Sequence, residues 1–164
     1  MKIPILMYHS ISDDSYNLSV SIKNFKKQMN FMKNNGYNTI NLEDLSKKNY
    51  KKLFIITFDD GYEDIYLNAM PILEELNFTA TCFLVSSLIG KYNIWDINNK
   101  SYKKKKLMNE NQINNWLNKK LSIGAHSADK KDLKKLNYND KSYQIYQVTI
   151  LNIYVLYFQH LLVL

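Results

Sequence analysis

The chain has 164 residues and a net charge of +7, and all 22 of its basic residues are lysine. That length holds one core of moderate size, and the absence of arginine argues against a nucleic-acid surface, which draws on bidentate guanidinium contacts. The single cysteine, Cys82, excludes an intrachain disulfide, and its place in the apolar run Ala80 to Val85 predicts a buried thiol.

Ile3 to Met7 predicts a short buried strand. It is too short for a signal peptide and is interrupted at once by Tyr8, His9 and Ser10, so the expected location is cytoplasmic by default. Ser21 is placed to cap a helix running to Asn35. Ile22, Phe25, Met29 and Met32 recur there at three- and four-residue steps, and Gly36 suits the stop. A short strand over Asn38 to Asn41 and a helical turn over Leu42 to Leu45 follow. Leu53 to Phe58 is a strand of strong β character that runs into Asp59, Asp60 and Gly61. Tyr62 to Leu76 predicts a helix with Ile65, Ala69, Leu73 and Leu76 on one face, kinked or restarted at Pro71.

Thr79 to Val85 is the next strand. Residues 86–108 are irregular, with Trp95 as an anchor onto the core and Lys103 to Lys106 as a solvated loop. Asn109 with Gln112 three residues later forms a capping-box pattern. The helix that it opens presents Ile113, Trp116 and Leu117 on one side. Leu121 to Gly124 is a further strand, leading to His126. Strands alternating with helices predict a parallel α/β arrangement.

The pair Asp59-Asp60 is the stretch that carries chemistry. Successive side chains of a strand point to opposite faces, so the two carboxylates can do different work: one holding a metal, the other taking a proton from water. Gly61 allows a tight turn straight after them. Asp-Gly is also a common turn signal, and by itself it fits an ordinary strand-to-helix turn.

The flanking sequence goes further. Thr57 to Asp64 (TFDDGYED), followed by a helix and then ATCFLV, resembles the first motif of the polysaccharide deacetylases, the NodB-like domains of carbohydrate esterase family 4. The start, IPILMYHSI, resembles the first strand of the subgroup that opens on Met-Tyr-His. The stretch FKKQMNFMKNNGYNTINLEDL resembles its first helix and second strand. Ile123 to Ser127 resembles the start of the second motif, written H-[ST]-x-x-H. The resemblance covers residues 1–143. It implies about the first half of a distorted β/α barrel, with the chemistry at the C-terminal ends of the strands.

The resemblance also implies a metal-dependent hydrolysis of an acetamide on an N-acetylated glycan. Asp59 would be the general base, Asp60 and His126 metal ligands, and zinc the suitable ion. The chain departs from the pattern at position 130, where Lys130 stands in place of the expected second histidine. An ammonium has no lone pair for a metal, so the zinc site is expected to be weak. A non-catalytic glycan-binding remnant of such a domain is the alternative. His9 lies just after the first strand, where it can face the barrel mouth or form a structural hydrogen bond, and it is not counted as a site residue.

From Ser142 onward there is no Asp, Glu, Lys or Arg. The groove-lining Arg-Pro or Tyr-Pro segment, the Asp-rich segment and the late general-acid histidine of the resembled family have no counterpart. Residues 144–164 are therefore expected to be an uncharged apolar tail, translated out of frame, on a truncated and impaired domain. A membrane segment over Val148 to Leu164 is the competing reading. Its 17 residues are at the short end of what spans, and they include Asn152, Gln159 and His160.

Overall fold

The structure, a computed structural model, describes residues 3–45, 51–100, 102–131 and 133–149. The first apolar run forms β1 (Ile5–Tyr8). Two short strands, β2 (Ser10–Ile11) and β3 (Ser19–Val20), pair with each other in parallel. Ser21 caps α1 (Ile22–Asn34), its side chain accepting a hydrogen bond from the Asn24 N–H. Phe25 and Met29 of α1 are fully buried, as their spacing requires. β4 (Asn38–Thr39) and a 3₁₀ turn over Leu42–Asp44 lead to the long strand β5 (Leu53–Asp60).

Beyond β5 the chain passes through a π-helical turn, Ile65–Ala69, into α2 (Met70–Leu76). Pro71 lies in the first turn of α2, where its missing N–H interrupts no regular α-helical bond. β6 (Thr81–Leu84), α3 (Glu110–Asn118), β7 (Ser122–Ala125) and α4 (Tyr138–Thr149) complete the order. The box that opens α3 is formed in both directions. Asn109 Oδ1 accepts from the Gln112 N–H and Gln112 Oε1 accepts from the Asn109 N–H, each at 2.9 Å.

The main sheet is parallel throughout, in the order β1-β5-β6-β7, with β4 pairing to the start of β5. The two-residue period of the strands divides its residues between two faces. Phe54, Ile56 and Phe58 of β5 pack with Cys82, Leu84 and Ile123 against Phe25, Met29, Leu73, Ile113 and Trp116 of the helices. Ile55 and Phe83 form a smaller cluster with Leu42. Trp116 closes the core edge-on to Phe58, and its indole N–H donates to the Ser122 carbonyl at 3.0 Å.

Three expectations are corrected here. β1 is not buried: Ile5 and Met7 are each 56% exposed. It is the edge strand of the described sheet, and the side opposite Leu6 and Tyr8 is left open. Leu117 does not join Ile113 and Trp116 in the core but is exposed, one position round the helix from Trp116. The Lys103 to Lys106 run is not uniformly solvated. Lys105 is buried and its ammonium pairs with Asp14 and Asp64, lying over the rings of Tyr16 and Tyr62. Two carboxylates and two aromatic faces offset the desolvation of one ammonium.

Among the described residues no helix is long and apolar enough to cross a membrane. Residues 150–164, and with them most of the segment weighed as a membrane span, lie outside the described residues.

Two outcomes are expected. Gly124 of β7 faces Phe83 so closely that an added Cβ would meet the ring at 2.5 Å. Gly124→Ala should therefore cost about 1–3 kcal/mol in urea unfolding, while Leu117→Ala stays within about 0.5 kcal/mol. Burial alone would raise the Asp14 pKa, but hydrogen bonds from Lys105, the Tyr16 N–H and Ser19, with the charge of Lys105, hold it well below the usual carboxylate range. A depressed folded-state pKa stabilises above the unfolded value and is lost on acidification. The melting-temperature gap between wild type and Asp14→Asn should thus be widest above about pH 4 and close as the pH falls further.

Candidate active site

β5 delivers both carboxylates. Asp59 continues the alternation of the strand on the parity of Ile55 and Thr57. Asp60 adopts φ +73° and Gly61 follows at φ +72°. Two successive left-handed residues break the alternation, so Asp60 does not point away as a regular strand would have it. Both carboxylates instead reach the same imidazole. His126 Nε2 lies 3.5 Å from Asp60 Oδ1 and 3.7 Å from Asp59 Oδ2. Gly61 is required twice over, by its φ and by Leu84, whose Cδ2 a Cβ would meet at 2.6 Å. Asp59 and Asp60 are only 4% and 2% exposed.

His126 stands one residue past β7, its N–H donating to the Leu84 carbonyl at 2.8 Å. The register of the sheet therefore sets its height relative to Asp60, which pairs with Leu84. The loop that follows is held from below. Gln144 of α4 is 1% exposed, and its Oε1 accepts from the Ala128 N–H at 3.1 Å and the Asp129 N–H at 3.2 Å. Gln144 is the first residue of the segment expected from sequence to be an out-of-frame tail, and it supports the second motif directly.

Lys130 completes the cluster. Its ammonium hydrogen-bonds Asp60 Oδ1 and lies 3.2 Å from His126 Nε2. It also sits 5.5 Å from the centre of the Trp95 ring. His9, not counted as a site residue from sequence, brings its Nε2 to 3.7 Å from Asp59 Oδ2. The register accounts for it: β1 pairs Tyr8 with Phe58, so His9, just past β1, stands beside Asp59. Asp129, next to Lys130, turns to Lys131 at 2.9 Å.

The buried carboxylates are felt by their neighbours. Burial, then the charge of Asp60, pushes the Tyr62 hydroxyl far above its usual pKa, and it meets the Tyr16 hydroxyl at 3.1 Å. Burial, then the charges of Asp59 and Asp60, raises the Cys82 thiol as well, so Cys82 stays protonated and inert.

The donor set does not fit a divalent ion as it stands. Asp60 and His126 supply two ligands, fewer than the three protein ligands usual at catalytic zinc. The ammonium of Lys130 lies against both. Among the described residues no group of three or more His, Cys, Asp or Glu side chains forms a metal-holding cluster.

A family model described as polysaccharide deacetylase matches residues 46–150. The YxkH protein of Bacillus subtilis is 35% identical over 141 residues, covering 82% of this chain and 46% of the relative. The poly-beta-1,6-N-acetyl-D-glucosamine N-deacetylase of Staphylococcus epidermidis is 31% identical over 131 residues, covering 77% of this chain and 43% of the relative. Among solved structures, the Streptococcus pyogenes deacetylase PplD in complex with acetate superposes with a TM-score of 0.74 at 26% identity, covering 90% of this chain and 66% of that one. The chain spans about half the length of the curated relatives it matches.

Gln144 gives the test of this construction. Gln144→Leu keeps the bulk but removes the acceptor from two amides, and should cost about 1–3 kcal/mol. Amide exchange of Ala128 and Asp129 should quicken selectively. Unchanged exchange at both would show that the loop is held by something else.

Proposed function

Because the chain belongs to the polysaccharide deacetylase family, we propose that its site is built around hydrolysis of an acetamide on an N-acetylated glycan. Water adds to the acetyl carbonyl, the C–N bond breaks, and acetate and a free sugar amine result. Asp59 is the base that takes the proton from the attacking water. The observation that carries this reading is the convergence of Asp59, Asp60 and His126 within 3.7 Å at the C-terminal ends of β5 and β7. The N-acetylglucosamine polymer in the name of the Staphylococcus epidermidis relative supports the choice of substrate class.

Asp60 and His126 are the residues to which the resemblance gives the metal, and a carboxylate with an imidazole suits zinc. In this chain zinc is held weakly, because Lys130 stands where a third ligand would be and repels a second cation. Turnover is correspondingly impaired. A second reading, a glycan-binding domain without catalysis, is favoured by the contact between Lys130 and Asp60.

The experiment is acetate release from N-acetylglucosamine oligomers, with and without added zinc. Weak release is expected, and Asp59→Asn should lower it by about a hundredfold or to background. Release that survives Asp59→Asn would contradict the assignment of the base. Oligomer binding with no release in any condition would favour the second reading, and neither binding nor release would reject both.

A further inference from the structure

Lys130 is not merely a missing histidine; the loop is shaped to bring its ammonium back to the strand ends. Lys130 adopts φ +66° and Ser127 φ +69°, a conformation that non-glycine residues enter at some cost in energy. The Lys130 N–H donates to Ser127 Oγ at 3.0 Å, and the amides between them are fixed by Gln144. The side chain then runs to Asp60 and His126, which a metal ion would otherwise join.

An ammonium carries three N–H donors. Asp60 Oδ1 takes one and His126 Nε2 is placed for a second. The third has no acceptor among the described residues. The Lys130 side chain is still 23% exposed, whereas that of Asp60 is 1% exposed. The Lys130 side chain is thus partly open to solvent, and its ammonium lies 5.5 Å from the centre of the Trp95 ring.

We propose that Lys130 is a tethered cation that takes the place of the divalent ion between Asp60 and His126, and that its third N–H receives the carbonyl oxygen of an N-acetyl group. Trp95 gives the sugar ring a flat apolar wall beside that oxygen. The ligand class rests on the glycan reading above; the replacement of the ion does not. The covalent tether keeps the ammonium at high local concentration, so a free ion must displace it and bind two ligands in its place. The site is then charge-compensated at Asp60 and binds its ligand without metal.

Calorimetry on the full chain tests both halves, with zinc alone and with an N-acetylglucosamine tetramer as probes. The wild type should bind the tetramer equally well in EDTA and in zinc. Lys130→Met should weaken that binding by about tenfold, the loss of one charged hydrogen bond. Lys130→His should bind zinc at least about tenfold more tightly than the wild type, as a third ligand is gained. Its tetramer binding should become EDTA-sensitive. Should Lys130→Met not fold, for want of a cation on Asp60, the contrast in EDTA sensitivity between wild type and Lys130→His decides alone. Equal zinc affinity in wild type and Lys130→His, or wild-type tetramer binding abolished by EDTA, overturns the tethered cation. A wild type that binds zinc weakly but no tetramer under any condition keeps the tethered cation and rejects the glycan reading.

Discussion

Two adjacent carboxylates buried at the end of one strand are the constraint from which the rest of this structure follows. A carboxylate taken out of water must meet a cation or a set of donors, or its burial is costly. Asp60 meets the ammonium of Lys130, and Asp59 lies between the imidazoles of His9 and His126 at equal distances of 3.7 Å. Each of those partners is delivered by a different strand end or loop. β1 brings His9, β7 brings His126, and the turn after β7 brings Lys130. A parallel sheet places all these ends on one side, which is why the fold can assemble the cluster at all. Gly61 and Gly124 leave room for the side chains of Leu84 and Phe83 on the neighbouring strand.

The same solution appears a second time. Lys105 is buried between Asp14 and Asp64, and it ties the loop before β3 to the segment after β5. Asp64 also accepts from Ser10 Oγ and from the Ile11 N–H, so β2 is anchored to the same carboxylate. A chain without arginine thus uses lysine as the cation in both of these clusters. Its basic composition is partly structural: the ammonium groups of Lys105 and Lys130 are committed to carboxylates of the chain and are not a face for an external anion.

Much of the fold was legible because it depends on local periodicity. α1 and α3 begin at the caps that Ser21 and Asn109 announce, and β5 and β6 fall on the apolar runs. What periodicity could not reveal were features set by tertiary partners. Ile5 and Met7 are exposed because of where β1 lies in the sheet, not because of their own sequence. Lys105 looks like one more solvated lysine until Asp14 and Asp64 surround it. The paired carboxylates and His126 were legible as a motif, but the left-handed turn at Asp60 that points both at one imidazole was not. Lys130 was legible as a lost ligand. Its contact with Asp60 depends on the φ of a loop residue and on Gln144, and neither leaves a trace in local spacing.

The conflict between family and residues is thereby physical. A metal site asks for lone pairs converging on a point; here an ammonium approaches the same point with protons. Asp60 is compensated in either case, which is why one scaffold accommodates both arrangements. The difference lies in what reaches the outer side, a bound ion or an N–H.

The most direct measurement is a crystal structure of the wild-type chain soaked in zinc at the concentration that just saturates Lys130→His, with anomalous scattering recorded at the zinc edge. The account predicts no anomalous peak between Asp60 and His126, and Lys130 Nζ within hydrogen-bond distance of both. A zinc peak bonded to Asp60 and His126, with Lys130 turned out to solvent, would contradict it.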